Sequence, residues 1–290
     1  MAEKLYGSIE AGGTKFIVAV AGEDDQVTAQ ERVKTEDPQT TVANCVKFFK
    51  QYDLAGLGIG TFGPIDINPN SPTFGYIKKT PKPGWSNFDL QGEFERQLQV
   101  PVKMTTDVNA SVYGEYIARG RRNDQTLFYV TIGTGIGGGM LQAGKFIGLN
   151  NHPELGHMTA RKHPDDDYAG GCPFHGDRCF EGLAAGPTLE GRTGIAGEKL
   201  PRDHQVFKFI RYYVAQLLFD VYLTTRADVL IVGGSVLNEA DMPEVRRDFA
   251  ELMNGYLDVP DLEQLIVRPA VADNGSATLG DFELAKLAAK

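Results

Sequence analysis

The feature that most constrains this chain is a strand, glycine turn, strand pattern that occurs twice, far apart in the sequence. Residues 6–20 predict a hairpin around Gly12-Gly13-Thr14-Lys15, and residues 128–141 predict a second one around Gly133-Thr134-Gly135. Glycine permits positive φ and has no Cβ, so the backbone N–H groups of such a turn can converge on an anion. Each hairpin can therefore hold a phosphate group, although either one alone also fits an ordinary β-turn.

A third glycine pair belongs to the same pattern. Residues 229–235 predict a buried strand that ends at Gly233 and Gly234, followed by a helix start. Two hairpins and such a strand resemble the duplicated nucleotide-binding core of sugar kinases, actin and the heat-shock chaperones. That resemblance implies an α/β chain with the two-domain actin-like ATPase (ribonuclease H-like) fold, a duplicated β-hairpin phosphate-binding core and an interdomain cleft.

The chain is long enough for two α/β domains, because its 290 residues can bury a sizeable core in each. We expect a smaller domain over residues 1–115 plus 275–290, with the first hairpin and the catalytic residue. A larger domain over 116–274 would carry the second hairpin. The discontinuity follows from the resembled fold, in which the last helix packs back on the first domain.

Composition argues against several classes of partner. A formal net charge of -9 leaves no extended basic surface for nucleic acid. The apolar run 214–223 is short and contains Gln216 and Asp220, so it does not predict a membrane span. The first predicted strand begins almost at once, which leaves no room for a signal peptide, and three cysteines do not form a disulfide framework. We therefore expect a cytoplasmic protein, with Cys45 in the core.

Residues 64–88 form a proline- and glycine-rich segment and predict irregular structure. Its length suits the rim of a substrate pocket. Trp85 within it fits either that rim or an anchor in the hydrophobic core, and the sequence leaves both interpretations open.

Asp107 is the candidate catalytic residue. It lies where the predicted strand 100–104 gives way to the predicted helix 107–119, and ligands collect at that edge of open α/β sheets. A carboxylate there can accept the proton of a sugar hydroxyl as that oxygen attacks the γ-phosphate of a nucleotide. An aspartate at a helix start is also a common N-cap, so the sequence supports both roles.

Four candidate metal ligands occur in a glycine- and proline-rich segment. Two nitrogen and two sulfur donors come from His157, Cys172, His175 and Cys179. This set suits a closed tetrahedral zinc site of structural type, in a segment with few apolar residues. Free cysteines beside surface histidines are the alternative, and His152 and His163 are spare ligands in less suitable positions.

Five motifs make the resemblance specific and cover nearly the whole chain. They follow the order of the ROK family (repressors, open reading frames, kinases), at residues 9–15, 106–110, 131–137, 153–157 and 172–182. The chain resembles most the bacterial, zinc-containing, ATP-dependent fructokinases of that family. The resemblance implies phosphorylation of D-fructose to fructose 6-phosphate by ATP, with Mg²⁺ and a structural Zn²⁺.

The resemblance also implies the site residues, with Asp107 as general base. It assigns the nucleotide to Gly12, Gly13, Thr14, Lys15, Thr131, Gly133, Thr134, Gly135, Gly137, Gly233 and Gly234. It assigns the sugar to Gly63, Pro64, Thr106, Asn109, Glu154, His157 and Glu181. His157 would serve as a zinc ligand as well.

Three departures from the wider family favour the fructokinase branch. Thr106 stands where many family glucokinases have Asn, His175 replaces one cysteine of a common three-cysteine cluster, and Glu10 replaces the commoner Asp. Kinases for glucose, mannose or an N-acetylhexosamine are the alternative enzymes.

A non-catalytic, sugar-sensing regulator or scaffold is the alternative of a different class. The family's repressors carry a helix-turn-helix domain before the first hairpin, whereas only about five residues precede the first strand here, too few for that module. The presence of Asp107 together with both hairpins favours the enzyme. Because the family favours dimers, we expect a homodimer.

Overall fold

The computed structural model of the protein describes residues 4–80, 82–148, 150–272 and 275–290. Its strands are β1 (Leu5–Ala11), β2 (Lys15–Ala21), β3 (Val27–Lys34), β4 (Leu54–Thr61), β5 (Tyr76–Ile77), β6 (Phe88–Asp89), β7 (Val102–Thr106), β8 (Thr126–Ile132), β9 (Ile136–Gln142), β10 (Lys145–Phe146), β11 (Val229–Gly233) and β12 (Ile266–Val267). Its α-helices are α1 (Pro38–Phe49), α2 (Leu90–Leu98), α3 (Asp107–Ala118), α4 (Phe180–Ala184), α5 (Pro187–Thr193), α6 (Val206–Thr225), α7 (Met242–Met253), α8 (Leu262–Leu265) and α9 (Ser276–Ala288). Short 3₁₀ helices are Leu155–His157, Gly197–Lys199 and Glu239–Asp241.

The chain divides into two compact units. Unit 1 consists of Met1–Arg122, Gly144–His152 and Ala270–Lys290, and unit 2 consists of Asn123–Ala143 and Pro153–Pro269. Among the helices that the structure describes, none combines the length and apolar character needed to cross a lipid bilayer.

The sheet of unit 1 has the strand order β3-β2-β1-β4-β7. The strands β1 and β2 form an antiparallel hairpin, while β4 runs parallel to both β1 and β7. The register places Ala11 opposite Thr61 and Thr61 opposite Thr106, so three parallel strands end level with one another. The segments that follow β1, β4 and β7 therefore leave from the same edge of the sheet, with adjacent strands about 4.8 Å apart.

The last helix, α9, packs against β4 and α3 within unit 1. Gly58 makes this close approach possible, since a Cβ there would lie 1.8 Å from the Asp281 carbonyl oxygen. The fully buried Glu115 of α3 fixes the chain that enters α9. Its carboxylate accepts hydrogen bonds from the Ala270 N–H at 2.9 Å and the Ser276 hydroxyl at 2.8 Å.

Trp85 lies in the hydrophobic core of unit 1 and is 1% exposed. Its ring packs against Phe16, Phe62 and Phe88, and its indole N–H donates to the Glu36 carbonyl oxygen at 2.9 Å. The interpretation of Trp85 as a core anchor is therefore confirmed. The segment predicted to be irregular also contains β5, which pairs antiparallel with β6, and Trp85 fixes the described residues next to it to the core of unit 1.

Unit 2 repeats the central pattern of unit 1. Its strands β9, β8, β11 and β12 lie side by side in that order, with β8–β9 antiparallel and β8, β11 and β12 parallel. This matches β2-β1-β4-β7, so the duplication predicted from the glycine turns is confirmed at the level of strand order. The long helix α6 packs with α7 and supplies much of the core of this unit.

Candidate active site

The first glycine turn connects β1 to β2 and is fixed by contacts from outside the hairpin. The Gly12 N–H donates to the Lys15 carbonyl oxygen at 3.0 Å across the turn. After β3, the Thr35 hydroxyl donates to the Gly12 carbonyl oxygen at 2.9 Å, and the Thr35 N–H donates to the Thr14 carbonyl oxygen at 3.1 Å. Carbonyl groups of the turn are thus engaged by the protein itself, which fixes the conformation in which its N–H groups are presented.

Asp107 begins α3 directly after β7, at the same sheet edge as the glycine turn. The N-cap of this helix is Thr106, whose hydroxyl oxygen accepts from the Asn109 N–H at 3.2 Å. The alternative interpretation of Asp107 as the N-cap is therefore wrong. Its Oδ1 accepts from the Val108 N–H at 2.9 Å, and its side chain is half-buried.

Asn109 lies two residues after Asp107 in α3 and is 1% exposed. Its side-chain amide donates to the Thr105 hydroxyl at 3.1 Å. Thr105, Thr106 and Asn109 together form a small hydrogen-bonded group at the junction of β7 with α3. Its contacts stabilise the backbone on both sides of Asp107.

Gly63 and Pro64 follow β4 at the same edge. The Phe62 N–H donates to the Ala11 carbonyl oxygen at 3.0 Å, which extends the pairing of β4 with β1 to the end of β1. The Pro64 carbonyl oxygen accepts from the Lys78 N–H at 2.8 Å. The predicted sugar contacts Gly63 and Pro64 therefore lie on the sheet edge between the glycine turn and Asp107.

Two further carboxyl groups lie beneath this edge. Burial raises the pKa of Glu10 on β1, and the nearby Lys15 opposes that shift. Asp281 of α9 is fully buried beside Gly60. Burial, then the charges of Glu10 and Asp107, raise the pKa of Asp281 well above its usual range, although the Gly60 backbone opposes the shift. Burial therefore favours the protonated form of Asp281.

Lys82 is a polar residue at this edge that the sequence analysis missed. Its ammonium group donates to the Gly13 carbonyl oxygen at 2.8 Å. A Cβ at Gly13 would lie 2.2 Å from the Lys82 Nζ atom, so the absence of a side chain at Gly13 makes room for the ammonium. A lysine between prolines, in the segment expected to rim the pocket, was the available signal.

The second glycine turn connects β8 to β9 in unit 2. The Gly133 N–H donates to the Gly135 carbonyl oxygen at 3.0 Å, and the Gly186 N–H donates to the Gly133 carbonyl oxygen at 2.7 Å. Glu181 reaches the same turn, because its Oε2 accepts from the Ile136 N–H at 3.0 Å. A Cβ at Gly135 would lie 2.7 Å from that oxygen, so glycine there permits the contact with Glu181.

The predicted nucleotide contacts Gly233 and Gly234 lie beside this second turn. The register of β8 and β11 places Thr131 opposite Gly233, so the two strands end close together. Gly234 has a φ of 83°, and a Cβ there would lie 2.2 Å from the Ile132 carbonyl oxygen. Gly234 therefore allows the chain to turn tightly against the end of β8.

The four predicted metal ligands converge in unit 2. Their donor atoms all lie within 4.8 Å of one another, and the ligands are His157, Cys172, His175 and Cys179. The Cys172 Sγ lies 3.8 Å from the His157 Nδ1 and 3.7 Å from the His175 Nδ1. Tetrahedral zinc with ordinary bond lengths separates such sulfur and nitrogen atoms by about 3.6 Å. The donor set and its spacing therefore fit zinc.

Cys179 is a buried member of this donor set, and burial raises the pKa of its thiol to about 11. The spare ligand His163 lies elsewhere, with its ring packed against Phe209 and Tyr212. Cys45 lies fully buried in the core of unit 1, as expected.

His157 connects the metal-ligand cluster to the predicted sugar residues of unit 2. Its Nδ1 faces Cys172 and Cys179, while its Nε2 lies 3.8 Å from the Glu181 Oε1. The backbone N–H of His157 also donates to the Glu154 carbonyl oxygen at 3.1 Å. Glu154, His157 and Glu181 therefore form one group next to the second glycine turn.

The predicted site residues thus fall into two sets, one in each unit. The set in unit 1 consists of Gly12, Gly13, Thr14, Lys15, Gly63, Pro64, Thr106, Asp107 and Asn109. The set in unit 2 consists of Thr131, Gly133, Thr134, Gly135, Gly137, Glu154, His157, Cys172, His175, Cys179, Glu181, Gly233 and Gly234. Each set contains one glycine turn and at least one carboxylate.

Comparison with known proteins finds sugar kinases that are similar to this chain over nearly its whole length. The chain is 50% identical over 289 residues to a fructokinase of Streptococcus mutans, covering 98% of each chain. It is 47% identical over 283 residues to a fructokinase of Lactococcus lactis, covering 97% of this chain and 96% of the relative. The solved structure of a ROK family glucokinase from Streptomyces griseus, in complex with glucose and AMPPNP, superimposes with a TM-score of 0.74 at 20% identity, covering 98% of this chain and 99% of that one.

The structural match confirms the predicted actin-like α/β fold, and the sequence matches extend over nearly the whole chain. Residues 6–288 match the description of the ROK family. The chain therefore belongs to the ROK family.

Proposed function

We propose that this chain is an ATP-dependent hexose kinase that phosphorylates D-fructose to fructose 6-phosphate. The relatives that share 50% and 47% of its residues over nearly their whole length are both named fructokinase. The structural observation that carries the proposal is the position of Asp107 at the same sheet edge as the Gly12–Lys15 turn. A proton acceptor and a phosphate-binding turn on one edge are what phosphoryl transfer to a hydroxyl requires.

Asp107 would act as the general base. The O6 hydroxyl of fructose loses its proton to the Asp107 carboxylate while O6 forms a bond to the γ-phosphorus of ATP. The bond between that phosphorus and the bridging oxygen breaks, and its electron pair stays on ADP. Mg²⁺ bound to the ATP phosphates would neutralise part of their charge. The Thr106 cap supports this role, because it leaves the Asp107 carboxylate out of the capping interaction.

We assign the phosphates to the two glycine turns and the adenosine to the loop at Gly233 and Gly234. The nucleotide contacts would be Gly12, Gly13, Thr14, Lys15, Thr131, Gly133, Thr134, Gly135, Gly137, Gly233 and Gly234. The sugar contacts would be Gly63, Pro64, Thr106, Asn109, Glu154, His157 and Glu181. We further assign the two functional domains to residues 1–115 with 275–290 and to residues 116–274, and we expect the active protein to be a homodimer.

His157, Cys172, His175 and Cys179 would hold a structural zinc ion. The spacing of the donors and the set of two nitrogen and two sulfur ligands support this assignment. Zinc bound there would orient the His157 ring, whose Nε2 faces Glu181. The site would thereby fix two sugar contacts without taking part in the chemistry.

Turnover with a panel of hexoses and Mg-ATP tests the proposed function. We expect D-fructose to have the highest kcat/KM, mannose to be a secondary substrate and glucose to be weak. A pocket whose buried carboxylates bind particular hydroxyls discriminates strongly, because a wrong epimer leaves those carboxylates without partners. Higher kcat/KM for glucose or an N-acetylhexosamine would contradict the sugar assignment. Failure to consume ATP with every hexose would favour a sugar-sensing regulator.

A further inference from the structure

Lys82 and the first glycine turn carry one inference beyond the assignments above. Lys82 lies in the segment 64–88, and its Nζ atom is 2.8 Å from the Gly13 carbonyl oxygen in the turn between β1 and β2. We propose that Lys82 is a catalytic residue that contacts the transferred γ-phosphoryl group from the first glycine turn. The proposal rests on the proposed kinase function and adds a positive charge to its machinery.

The first argument is the position of the ammonium group. A Cβ at Gly13 would lie only 2.2 Å from Nζ and 2.8 Å from the Lys82 Cε, so the end of the side chain occupies the space that glycine leaves. Gly13 is therefore needed for Lys82 as well as for a phosphate. The Lys82 ammonium group therefore lies at the glycine turn that follows the carboxyl end of β1.

The second argument is the charge balance of Lys82. Within residues 4–80, 82–148, 150–272 and 275–290, the ammonium group contacts the Gly13 carbonyl oxygen and the ring of Phe62, whose centroid lies 5.0 Å from Nζ. Neither partner carries a negative charge. Burial lowers the pKa of this half-buried ammonium, which shows that its surroundings do not compensate the charge. An ammonium has three N–H donors, and the Gly13 carbonyl engages one of them.

The third argument is how firmly the charge is held. The backbone N–H of Trp85 donates to the Lys82 carbonyl oxygen at 3.2 Å, and the Trp85 side chain is buried in the core of unit 1. The backbone of Lys82 is thus fixed three residues from a core anchor, and the Gly13 carbonyl oxygen holds its ammonium group. A charge held in place before the reaction stabilises a developing negative charge without reorganisation, which is the most effective form of electrostatic catalysis.

The chemistry requires such a charge. During transfer, negative charge is spread over the oxygens of the γ-phosphoryl group and grows on the bridging oxygen of the leaving ADP. Lys82 would neutralise this charge while Asp107 takes the sugar proton. No bond to Lys82 forms or breaks, so its protonation state is the same before and after the reaction.

The test compares Lys82→Met, which keeps the apolar stem, with Lys82→Arg and Gly13→Ala. Lys79→Met is the matched control, because Lys79 is an exposed lysine of the same segment. With fructose, we expect Lys82→Met to lower kcat by about 100-fold while the KM for fructose changes less than about threefold. The kcat of Lys82→Arg should be about tenfold higher than that of Lys82→Met, because Arg restores a positive charge. The kcat of Gly13→Ala should be close to that of Lys82→Met, because the added Cβ displaces the ammonium group.

Nucleotide binding supplies a readout that is independent of the sugar. Calorimetry with Mg²⁺ should show that Lys82→Met weakens AMPPNP by about tenfold and ADP by less than about twofold, since only AMPPNP carries the third phosphoryl group. Equal losses for the two nucleotides, or normal turnover in Lys82→Met, would overturn the proposal. If wild-type protein turned over another hexose or none, the proposed function would fail, whereas the binding comparison would still decide the role of Lys82.

A purely structural role for Lys82 is separated by fluorescence. Trp85 is the single tryptophan of the chain, so tryptophan emission, excited selectively, reports on this segment. We expect Lys82→Met to keep the wild-type emission spectrum and melting temperature. A shifted spectrum with a melting temperature lowered in proportion to the lost activity would show that Lys82 only braces the segment, and would overturn the proposal.

Discussion

Thr106 caps the helix α3 through its own hydroxyl oxygen, which accepts from the Asn109 N–H at 3.2 Å. Asp107, the residue after Thr106, therefore stands in the first helical turn without serving as the cap. A carboxylate in a first turn is stabilised by the helix dipole, which favours the ionised form that a general base requires. The structure thus supplies the capping oxygen and the proposed base from neighbouring residues.

Replacement of Asp107 by Asn tests the base. The amide keeps the size of the side chain but cannot accept a proton, so kcat should fall by about 100-fold or more. Fructose affinity should survive, because the sugar contacts remain. Steady-state kinetics and a direct sugar-binding measurement check both parts.

Asp89→Asn is the matched control for that variant. Asp89 also stands at a helix start, where its side chain caps α2 by accepting from the Gly92 N–H at 2.9 Å. Asn caps helices about as well as Asp, so turnover should remain near the wild-type value. Near-normal turnover of Asp107→Asn would remove Asp107 from the mechanism.

The repeated turns and the metal ligands were predictable because each has a local signature. Glycine is needed where a turn or a neighbouring atom excludes Cβ, and four nitrogen and sulfur donors in a short segment have few other uses. The roles of Thr106 and Lys82 were not predictable in that way. The cap depends on which of two adjacent oxygens points at Asn109, and Lys82 meets Gly13 only because Trp85 packs into a core formed by distant strands.

The metal assignment predicts about one zinc ion per chain in the purified protein. Cys179→Ser should abolish stoichiometric zinc, loosen the segment between His157 and Glu181, and lower the melting temperature. Activity should fall indirectly, because Glu181 loses its orientation next to His157. Metal analysis and thermal unfolding are the measurements, and Cys45→Ala, a core cysteine outside the donor set, should keep its zinc. Zinc-depleted protein with full activity and unchanged melting would contradict the assignment.

The hydrogen bonds of Glu115 should contribute strongly to the packing of α9 against α3. Its fully buried carboxylate accepts from Ala270, Val271 and Ser276, and it also pairs with Arg119 at 3.1 Å. Glu115→Ala leaves these donors without a partner and should lower the free energy of unfolding by about 3 kcal/mol in urea denaturation. The control Glu93→Gln removes an exposed ion pair with Arg96 and should change it by less than about 1 kcal/mol. Equal effects of the two variants would show that the buried network contributes nothing special.

The buried Asp281 carboxyl group should make the stability of the wild-type protein fall as the pH rises, and its replacement by Asn should remove that loss. Because burial and the charges of Glu10 and Asp107 raise its pKa, the folded chain keeps a proton that the unfolded chain releases above about pH 4. The folded state is therefore progressively disfavoured as the pH rises from about 4 through the folded pKa. Asp281→Asn removes this dependence, so its melting temperature should exceed that of the wild type at pH 8, with the difference vanishing below about pH 4.

Asp166 is a control for Asp281, because the pKa of its carboxyl group is shifted in the opposite direction. Burial alone would raise the pKa of Asp166, but hydrogen bonds from Arg192 and Tyr213 outweigh it and lower the pKa. The charged form of Asp166 therefore stabilises the fold above the unfolded pKa, and that contribution is lost as the pH falls through the folded value. Asp166→Asn should lower the melting temperature at pH 8, where Asp281→Asn raises it. Thermal unfolding of both variants between pH 4 and pH 8 makes the comparison, and a lower melting temperature for Asp281→Asn at pH 8 would show that the Asp281 carboxylate is charged and stabilising in the folded protein.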